Sequence, residues 1–206
     1  MYLTKIDLQL QNRGIRRALG DCQQLHRMVT GLFGVDRESG KILYRVRQQH
    51  GQPSVYLYSE SPVLRERLLP GMALAGERNL SSWLAQMGEN QLWRFDLLVS
   101  PAKKVAQEGA KNSRRRILRT EEERLDWLRR KAEQNGFELV SCQELESGCQ
   151  TGTHAVEQGG KMRMDSYHYQ GVLRICHAEQ FRSAVRNGIG PGKAYGLGML
   201  LLNRTA

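Results

Sequence analysis

The sequence has 206 residues, enough for one large domain or for two small domains that each have their own core. Hydrophobic residues make up 40% and charged residues 25%, which is ordinary for globular proteins and argues against long disordered stretches. The 31 Lys and Arg residues outnumber the 21 Asp and Glu residues, and the resulting net charge of +10 is expected to attract polyanions.

Membrane and secretory classes fit the sequence poorly. No segment approaches the ~18 unbroken apolar residues of a spanning helix, and residues 1–7 alternate like a strand rather than a secretion signal. We therefore expect a cytoplasmic protein with nucleic acid as its leading partner, and a basic protein without a polyanionic partner is the alternative. Because Cys22, Cys142, Cys149 and Cys176 lack paired ligand spacing, no metal or other cofactor is predicted.

The first half of the chain begins with a predicted strand, because Thr4, Ile6 and Leu8 alternate with polar residues. A helix follows, with Asp21 as its N-terminal cap and apolar residues at helical spacing. Two strands are predicted next, and a short helix follows Pro62. The fourth strand of this half is poorly marked, since only a weak apolar stretch remains. The predicted strands and this stretch cover 42–47, 55–58 and 80–84.

The second half repeats this order. Its long helix has a capping pair, Thr120 and Glu123, and ends at Gly136. The predicted strands cover 93–99, 137–140, 167–175 and 197–202, and a second helix covers 178–186.

A strand-helix-strand-strand-helix-strand order that occurs twice is typical of the ferredoxin-like fold, which RNA-recognition domains also use. The predicted fold class is therefore α+β, with two tandem ferredoxin-like (βαββαβ, RRM-like) domains. We predict an N-terminal domain over 1–90 and a C-terminal domain over 91–206 that contains a basic segment and a glycine-rich loop.

The basic segment lies between residues 100 and 120 and is denser in charge than an average solvated surface. We predict that its cations bind RNA phosphates, and a solvated linker is the alternative. These cations are Lys103, Lys104, Lys111, Arg114, Arg115, Arg116 and Arg119.

The glycine-rich loop contains Gly188, Gly190, Gly192 and Lys193. It follows a predicted helix and precedes a strand, which excludes a Rossmann fingerprint, and it lacks the spacing of a Walker loop. Such a loop can offer backbone N–H groups to a phosphate, or it can serve only as a packed turn. The sequence leaves both possibilities open.

Two further features are candidates for a role at an RNA site. His26 lies at the edge of the apolar stripe of its helix, where partial burial lowers a histidine pKa and favours a general base; a packed histidine without a role is the alternative. Lys161 and Arg163 follow a glycine turn that could bind RNA or only connect two strands. The remaining histidines are assigned structural roles, namely His50, His154, His168 and His177.

Together these segments resemble the CasE family of CRISPR-associated endoribonucleases of the type I-E Cascade complex. The matching segments span most of the chain, and the one near the C-terminus is the most specific. They are residues 1–5, Leu25-His26, Ser100-Pro101-Ala102-Lys103, residues 127–131, Gly171-Val172-Leu173 and Gly188-Ile189-Gly190-Pro191-Gly192-Lys193.

The resemblance implies that the protein binds the repeat hairpin of precursor CRISPR RNA, cleaves it at the hairpin's 3′ base and stays with the product among the other Cascade subunits. It also implies that His26 is catalytic. Relatives often have a tyrosine three residues before this histidine, where the present chain has Gln23. Gln23 can orient a phosphate but cannot transfer a proton as a phenol does, so Tyr195 and Lys161 are candidates to compensate.

The predicted reaction needs no metal, because the ribose 2′-OH attacks the adjacent phosphorus and leaves 2′,3′-cyclic phosphate and 5′-OH ends. His26 would act as base or as acid, and Lys161 would offset charge on the phosphorane. A non-catalytic RNA-binding subunit of a ribonucleoprotein explains the charge and the fold equally well. A metal-dependent nuclease is a weaker alternative.

Overall fold

The computed structural model describes residues 1–49, 51–105, 114–153 and 160–205. These residues form two four-stranded antiparallel sheets and one two-stranded sheet. In chain order, the elements are β1 (Tyr2–Leu8), α1 (Arg13–Leu19), α2 (Cys22–Thr30), β2 (Leu43–Gln49), β3 (Gln52–Ser59), a 3-10 turn (Arg65–Arg67), β4 (Met72–Asn79), α3 (Ser81–Ala85), β5 (Leu92–Val99), β6 (Ala102–Val105), β7 (Arg114–Ile117), α4 (Glu121–Gln134), β8 (Phe137–Thr153), β9 (Lys161–Ile175), α5 (Ala178–Asn187), a second 3-10 turn (Lys193–Tyr195) and β10 (Leu200–Arg204).

The first sheet has the strand order β2-β3-β1-β4. Its central strand buries Ile6 and Leu8, which alternate with more exposed residues as the sequence predicts. Ile15 of α1 and Leu25 and Val29 of α2 belong to the same buried cluster. Both helices therefore pack against one face of this sheet, which fixes the position of α2.

The second sheet has the strand order β10-β5-β9-β8, which repeats the order of the first. Trp93, Phe95 and Leu97 alternate along β5 and form a buried core with Leu128 of α4 and Phe181 of α5. Two sheets with this order and with helices packed on them confirm the predicted α+β class of two tandem ferredoxin-like units.

Two details of the predicted elements are wrong. The fourth strand of the first half is β4, and the apolar stretch after it belongs to α3. The last strand begins at Leu200 rather than at residue 197, because Gly196 and Gly198, with φ of +80° and +82°, place the preceding residues in a loop.

Two hairpins extend beyond the predicted elements. Strands β8 and β9 pair from Phe137↔Ile175 to Thr153↔Lys161, far beyond the short strands that the sequence predicts. Strands β6 and β7 form a second hairpin within the basic segment, where the sequence predicts no strand. Among the described residues, no helix combines the length and the apolar character needed to cross a membrane.

Candidate functional site

The second 3-10 turn packs against helix α2 and brings together three of the four predicted catalytic residues. The Gln23 amide Nε2 donates a hydrogen bond of 3.1 Å to the Tyr195 hydroxyl. The rings of His26 and Tyr195 lie 6.3 Å apart between centroids, at an interplanar angle of 71°. Because the Tyr195 oxygen accepts from Gln23, its own proton remains available to a substrate oxygen.

His26 is partly buried on α2, and its surroundings favour the neutral ring. Burial lowers its pKa below the ordinary 6.5, and the positive charges of Arg37 and Arg27 lower it further. The backbone carbonyl of Ala194 acts in the opposite direction. Ring atom Nδ1 is buried without a hydrogen bond among the described residues. A neutral imidazole can act as a general base near pH 7.

A buried tyrosine holds the Ala194 carbonyl in place through a hydrogen bond. The Tyr44 hydroxyl donates to the Ala194 oxygen at 2.9 Å. Gly196 lies directly against the Tyr44 ring with φ of +80°, and a Cβ added at this glycine would lie only 3.1 Å from that ring. Tyr44 thus fixes the backbone next to His26, although no local signal in the sequence singles it out.

The long β8–β9 hairpin reaches the N-terminus of α2. Oxygen Oδ1 of Asp21 caps the helix by accepting from the backbone N–H groups of Gln23 and Gln24. Oxygen Oδ2 accepts from Thr153, at 3.1 Å from its backbone nitrogen and 2.5 Å from its hydroxyl. This second contact, the Asp21–Thr153 link, joins the C-terminal half to the helix that contains His26. The Thr153 hydroxyl also lowers the pKa of Asp21.

Lys161, the fourth predicted catalytic residue, lies opposite Thr153 in the hairpin register. Its strand therefore reaches the same end of α2 as the Asp21–Thr153 link. The side chain is exposed, and no hydrogen bond or ion pair joins it to His26 within the described ranges. Its role in catalysis stays a prediction.

The glycine-rich loop is a tightly packed turn. A Cβ on Gly190 would lie 2.9 Å from the Trp127 ring, and one on Gly192 would lie 2.5 Å from the Met164 sulfur. Gly188, Gly190 and Gly192 all have φ between +73° and +80°, which favours glycine. The loop is therefore closely packed, and its approach to a phosphate stays a prediction.

A cleft of about 810 Å³ opens beside this loop. None of the described residues that line it is acidic, whereas four are cations from three separate segments of the chain. Such a cleft attracts a polyanion. The lining cations are Lys103, Arg130, Lys131 and Lys193.

Arg130 and Lys131 line the cleft although the sequence did not predict them as RNA-binding residues. They share one face of α4 with Trp127 and Gln134, which also line the cleft. Arg130, Lys131 and Gln134 follow Trp127 by three, four and seven positions, a spacing that places side chains on the same face of a helix. This spacing was the signal in the sequence that could have identified them.

The remaining predicted RNA-binding residues have different surroundings. Lys103 and Arg116 both lie 3.8 Å from Glu123, and Arg163 pairs with Asp165 at 3.3 Å. Arg119 is exposed. Lys111 lies outside the described residues, as do the side chains of Lys104, Arg114 and Arg115, whose backbones belong to β6 and β7.

The described residues contain no group of three or more His, Cys, Asp or Glu side chains that could hold a metal ion. His168 instead joins a polar network at the boundary of the two halves, where its Nε2 lies 3.0 Å from the Asp96 carboxylate. This agrees with its predicted structural role.

A comparison with known protein families adds an independent finding. A family model described as "CRISPR associated protein" matches residues 1–204. The chain belongs to this family. Among curated members of known name, CRISPR-associated endoribonuclease Cse3 of Thermus thermophilus is 27% identical over 218 residues, which cover 97% of this chain and 98% of the relative.

Two solved structures of CRISPR-associated proteins resemble this chain throughout. The CRISPR endoribonuclease Cse3 bound to 19 nt RNA superposes with a TM-score of 0.86 at 26% identity, over 98% of this chain and 100% of that one. A chain of a CRISPR RNA-guided surveillance complex in a pre-nicking state has a TM-score of 0.77 at 27% identity, over 100% of both chains. The family predicted from the sequence is thus confirmed, along with its fold.

Proposed function

We propose that this protein is a metal-independent endoribonuclease that binds the repeat hairpin of precursor CRISPR RNA and cleaves it at the hairpin's 3′ base. We further propose that it stays with the product RNA in a Cascade assembly. One observation carries the proposal: His26, Gln23 and Tyr195 meet at a 3-10 turn that begins with Lys193, one of the cations that line the cleft. The similarity to an RNA-bound endoribonuclease and to a surveillance-complex subunit supports it.

His26 is the proposed general base. Its lowered pKa leaves the ring largely neutral near pH 7, so a ring nitrogen can take the proton of the attacking 2′-OH. The 2′ oxygen bonds to phosphorus while the bond to the 5′ oxygen of the next nucleotide breaks. The departing 5′ oxygen takes a proton from water, which leaves a 2′,3′-cyclic phosphate and a 5′-OH end. General base catalysis of this kind contributes about 10²- to 10⁴-fold in rate.

Tyr195 and Gln23 together take the place of the family's tyrosine. The amide of Gln23 orients the phenol, whose proton can then be donated to a non-bridging phosphate oxygen. Lys161 and Lys193 supply positive charge that offsets the charge of the phosphorane. Holding the scissile nucleotide in line contributes further, and the packed loop and the Asp21–Thr153 link give that geometry a rigid base.

The test compares His26→Ala with wild type on labelled repeat RNA in the presence of EDTA. We expect the wild type to cut once per hairpin and to leave cyclic phosphate ends. The variant should lose at least about 10²-fold in single-turnover rate, because it lacks the base, while its affinity for the hairpin is retained. His177→Ala is the matched control, since His177 is exposed and its side chain makes no capping hydrogen bond.

Two outcomes would contradict the proposal. If the wild type binds the hairpin without cutting it, the protein is a non-catalytic RNA-binding subunit, which the glutamine at position 23 favours. If EDTA abolishes cleavage, the enzyme depends on a metal ion. A His26→Ala variant that cuts at the wild-type rate would remove His26 from the mechanism.

A further inference from the structure

A second, smaller cavity of about 200 Å³ adjoins the turn that contains Lys193. Lys193 lines both this cavity, here called the cation pocket, and the long cleft. The other residues of the cation pocket come from the loop after α2, from the start of β2 and from the end of α5. They are Arg37, Glu38, Lys41, Leu43, Arg186 and Asn187.

The cation pocket has a surplus of positive charge. Of the seven described residues that line it, four are Lys or Arg and one is acidic. That acid, Glu38, pairs with Arg37 at 3.3 Å, but its side chain is 85% exposed, so water screens the pair. Arg186 lies 3.8 Å from Glu60, and both of these side chains are also substantially exposed. A bound anion would therefore meet little competition from the protein's own carboxylates.

The pKa of Lys193 shows the effect of these neighbouring positive charges. Burial lowers its pKa, and the like charges of Arg37, Lys131 and Lys41 lower it further. An anion placed among these groups would relieve their mutual repulsion.

The cation pocket lies close to the proposed catalytic group. Arg37 lowers the pKa of His26 as well as that of Lys193, so its charge acts on both residues. The two residues after Lys193 are Ala194, next to the His26 ring, and Tyr195. The cleft and the cation pocket thus meet at the turn that supports the proposed site.

We propose that the cation pocket binds the backbone phosphate that follows the scissile one, on the 3′ side of the cut. This inference rests on the proposed function. The RNA strand runs from the stem, through the cut, into a single-stranded 3′ flank, and the surface runs from the wide cleft, past Lys193, into the small pocket. The cleft, which is the larger of the two, would face backbone phosphates on the stem side of the cut, and the smaller pocket would face those of the single strand.

The test measures affinity for two uncleavable RNAs with a 2′-deoxy nucleotide at the cut. One RNA ends one nucleotide after the cut, so that it keeps the scissile phosphate and lacks the following one, and the other continues for three nucleotides. The wild type should bind the longer RNA about two- to fivefold more tightly for each phosphate contact, the scale of an exposed ion pair. The plot of log K against log salt should also steepen by about 0.7 per contact.

The double variant Arg37→Gln/Lys41→Asn should lose this difference and keep its affinity for the shorter RNA. Asn is chosen because Lys41 has φ of +48°, a conformation that Asn tolerates. Arg37→Lys, which keeps the charge, should retain the difference. Arg65→Ala/Arg78→Ala is the control, since it removes two exposed charges outside both cavities.

Equal wild-type affinity for the two RNAs would overturn the inference, and this comparison decides it even if the double variant fails to fold. A double variant that loses affinity for both RNAs equally would also overturn it, since the pocket would then act on the stem. Failure of the wild type to bind the shorter RNA would instead contradict the proposed function.

Discussion

His26 lies among groups that act in opposite directions on its affinity for a proton. Burial and Arg37 favour the neutral ring, and the Ala194 carbonyl favours the protonated one. That carbonyl cannot turn away freely, because it accepts a hydrogen bond from the buried Tyr44 hydroxyl. Burial has the largest effect on the proton affinity of the ring, and the backbone of a segment far along the chain opposes it.

We expect an NMR titration of the histidine Hε1 signals to show this balance in the free protein. The signal that is absent from His26→Ala should titrate below the ordinary pKa of 6.5, because burial and Arg37 disfavour the charged ring. Arg37→Gln should raise this pKa, and His177→Ala should leave it unchanged. A wild-type value at or above 6.5 would contradict the assignment of His26 as the base.

The lowered pKa of His26 also makes the stability of the folded protein depend on pH. The unfolded chain has the ordinary histidine pKa, so it binds more protons than the folded chain between the two values. The contribution of His26 to stability is present above pH 6.5 and is lost as the pH falls through the lower, folded pKa.

At this scale, part of the site could be predicted from the sequence. Helical spacing and family resemblance identified His26, and the hydrogen bond between Gln23 and Tyr195 joins two residues that were singled out in advance. Tyr44 and Arg37 were not singled out, because their effect arises from tertiary contacts with Ala194 and His26 that have no local pattern.

The β8–β9 hairpin is the element that the sequence predicts least well. Near Phe137 and Ile175 the two strands cover the core, and buried residues alternate there with exposed ones. The outer part of the hairpin is largely exposed, so its sequence has no alternation of apolar and polar residues that would predict a strand. Irregularities in the register between Leu139 and Ser141 and between Glu144 and Glu146 also interrupt the alternation. Strand β4 escaped prediction for the same reason, since it contributes few buried side chains.

The outer end of this hairpin positions α2 through the Asp21–Thr153 link. Thr153→Val removes the hydroxyl that lies 2.5 Å from Asp21, and it keeps the size and the backbone N–H of the residue. We expect the single-turnover cleavage rate to fall roughly tenfold, less than the about 10²-fold cost of a 1 Å misplacement. Affinity for the hairpin should hardly change.

Thr153→Ser restores the hydroxyl and should restore the rate. The pKa of Asp21 gives a second measurement, because it should rise in Thr153→Val and return in Thr153→Ser. An unchanged cleavage rate in Thr153→Val, with a raised Asp21 pKa, would show that the link is not needed to position His26.

The two halves of the molecule share a hydrophobic cluster, beside another cluster that lies within the first half. Leu43 and Tyr58 from the first sheet, with Met1 just before it, belong to the shared cluster together with Trp93 and Leu173 from the second. The domain boundary near residue 90 stays a prediction. We propose that the two halves each have a ferredoxin-like topology but unfold together in one cooperative transition.

A buried ion pair crosses the same boundary. Arg45 of β2 contacts Asp96 of β5, which also accepts from Gln170 at 2.8 Å and lies 3.0 Å from His168. Burial alone would raise the pKa of Asp96, but the positive charge of Arg45 and these neighbours hold it below the ordinary value. The carboxylate therefore stays ionised between the two sheets.

Asp96→Asn should destabilise the protein by roughly 3–5 kcal/mol, because it leaves the Arg45 guanidinium buried without its counter-charge. Urea unfolding followed by circular dichroism measures the change, and a single transition is expected in both proteins. Asp126→Asn is the control: it removes an exposed partner of Arg129 and should change the free energy of unfolding by about 0.5 kcal/mol or less. Two separate transitions in the wild type would contradict the shared core.

Gln23 and Tyr195 are separated by 172 positions in the chain and yet share a hydrogen bond. A ribosome therefore exposes the histidine of α2 early, long before it has made the tyrosine and lysine of the second 3-10 turn. A nascent or prematurely released chain that stops short of Lys193 would possess the imidazole without the partners that orient it. We expect such fragments to leave cellular transcripts uncut, so that nuclease activity begins only after Tyr195 has been made.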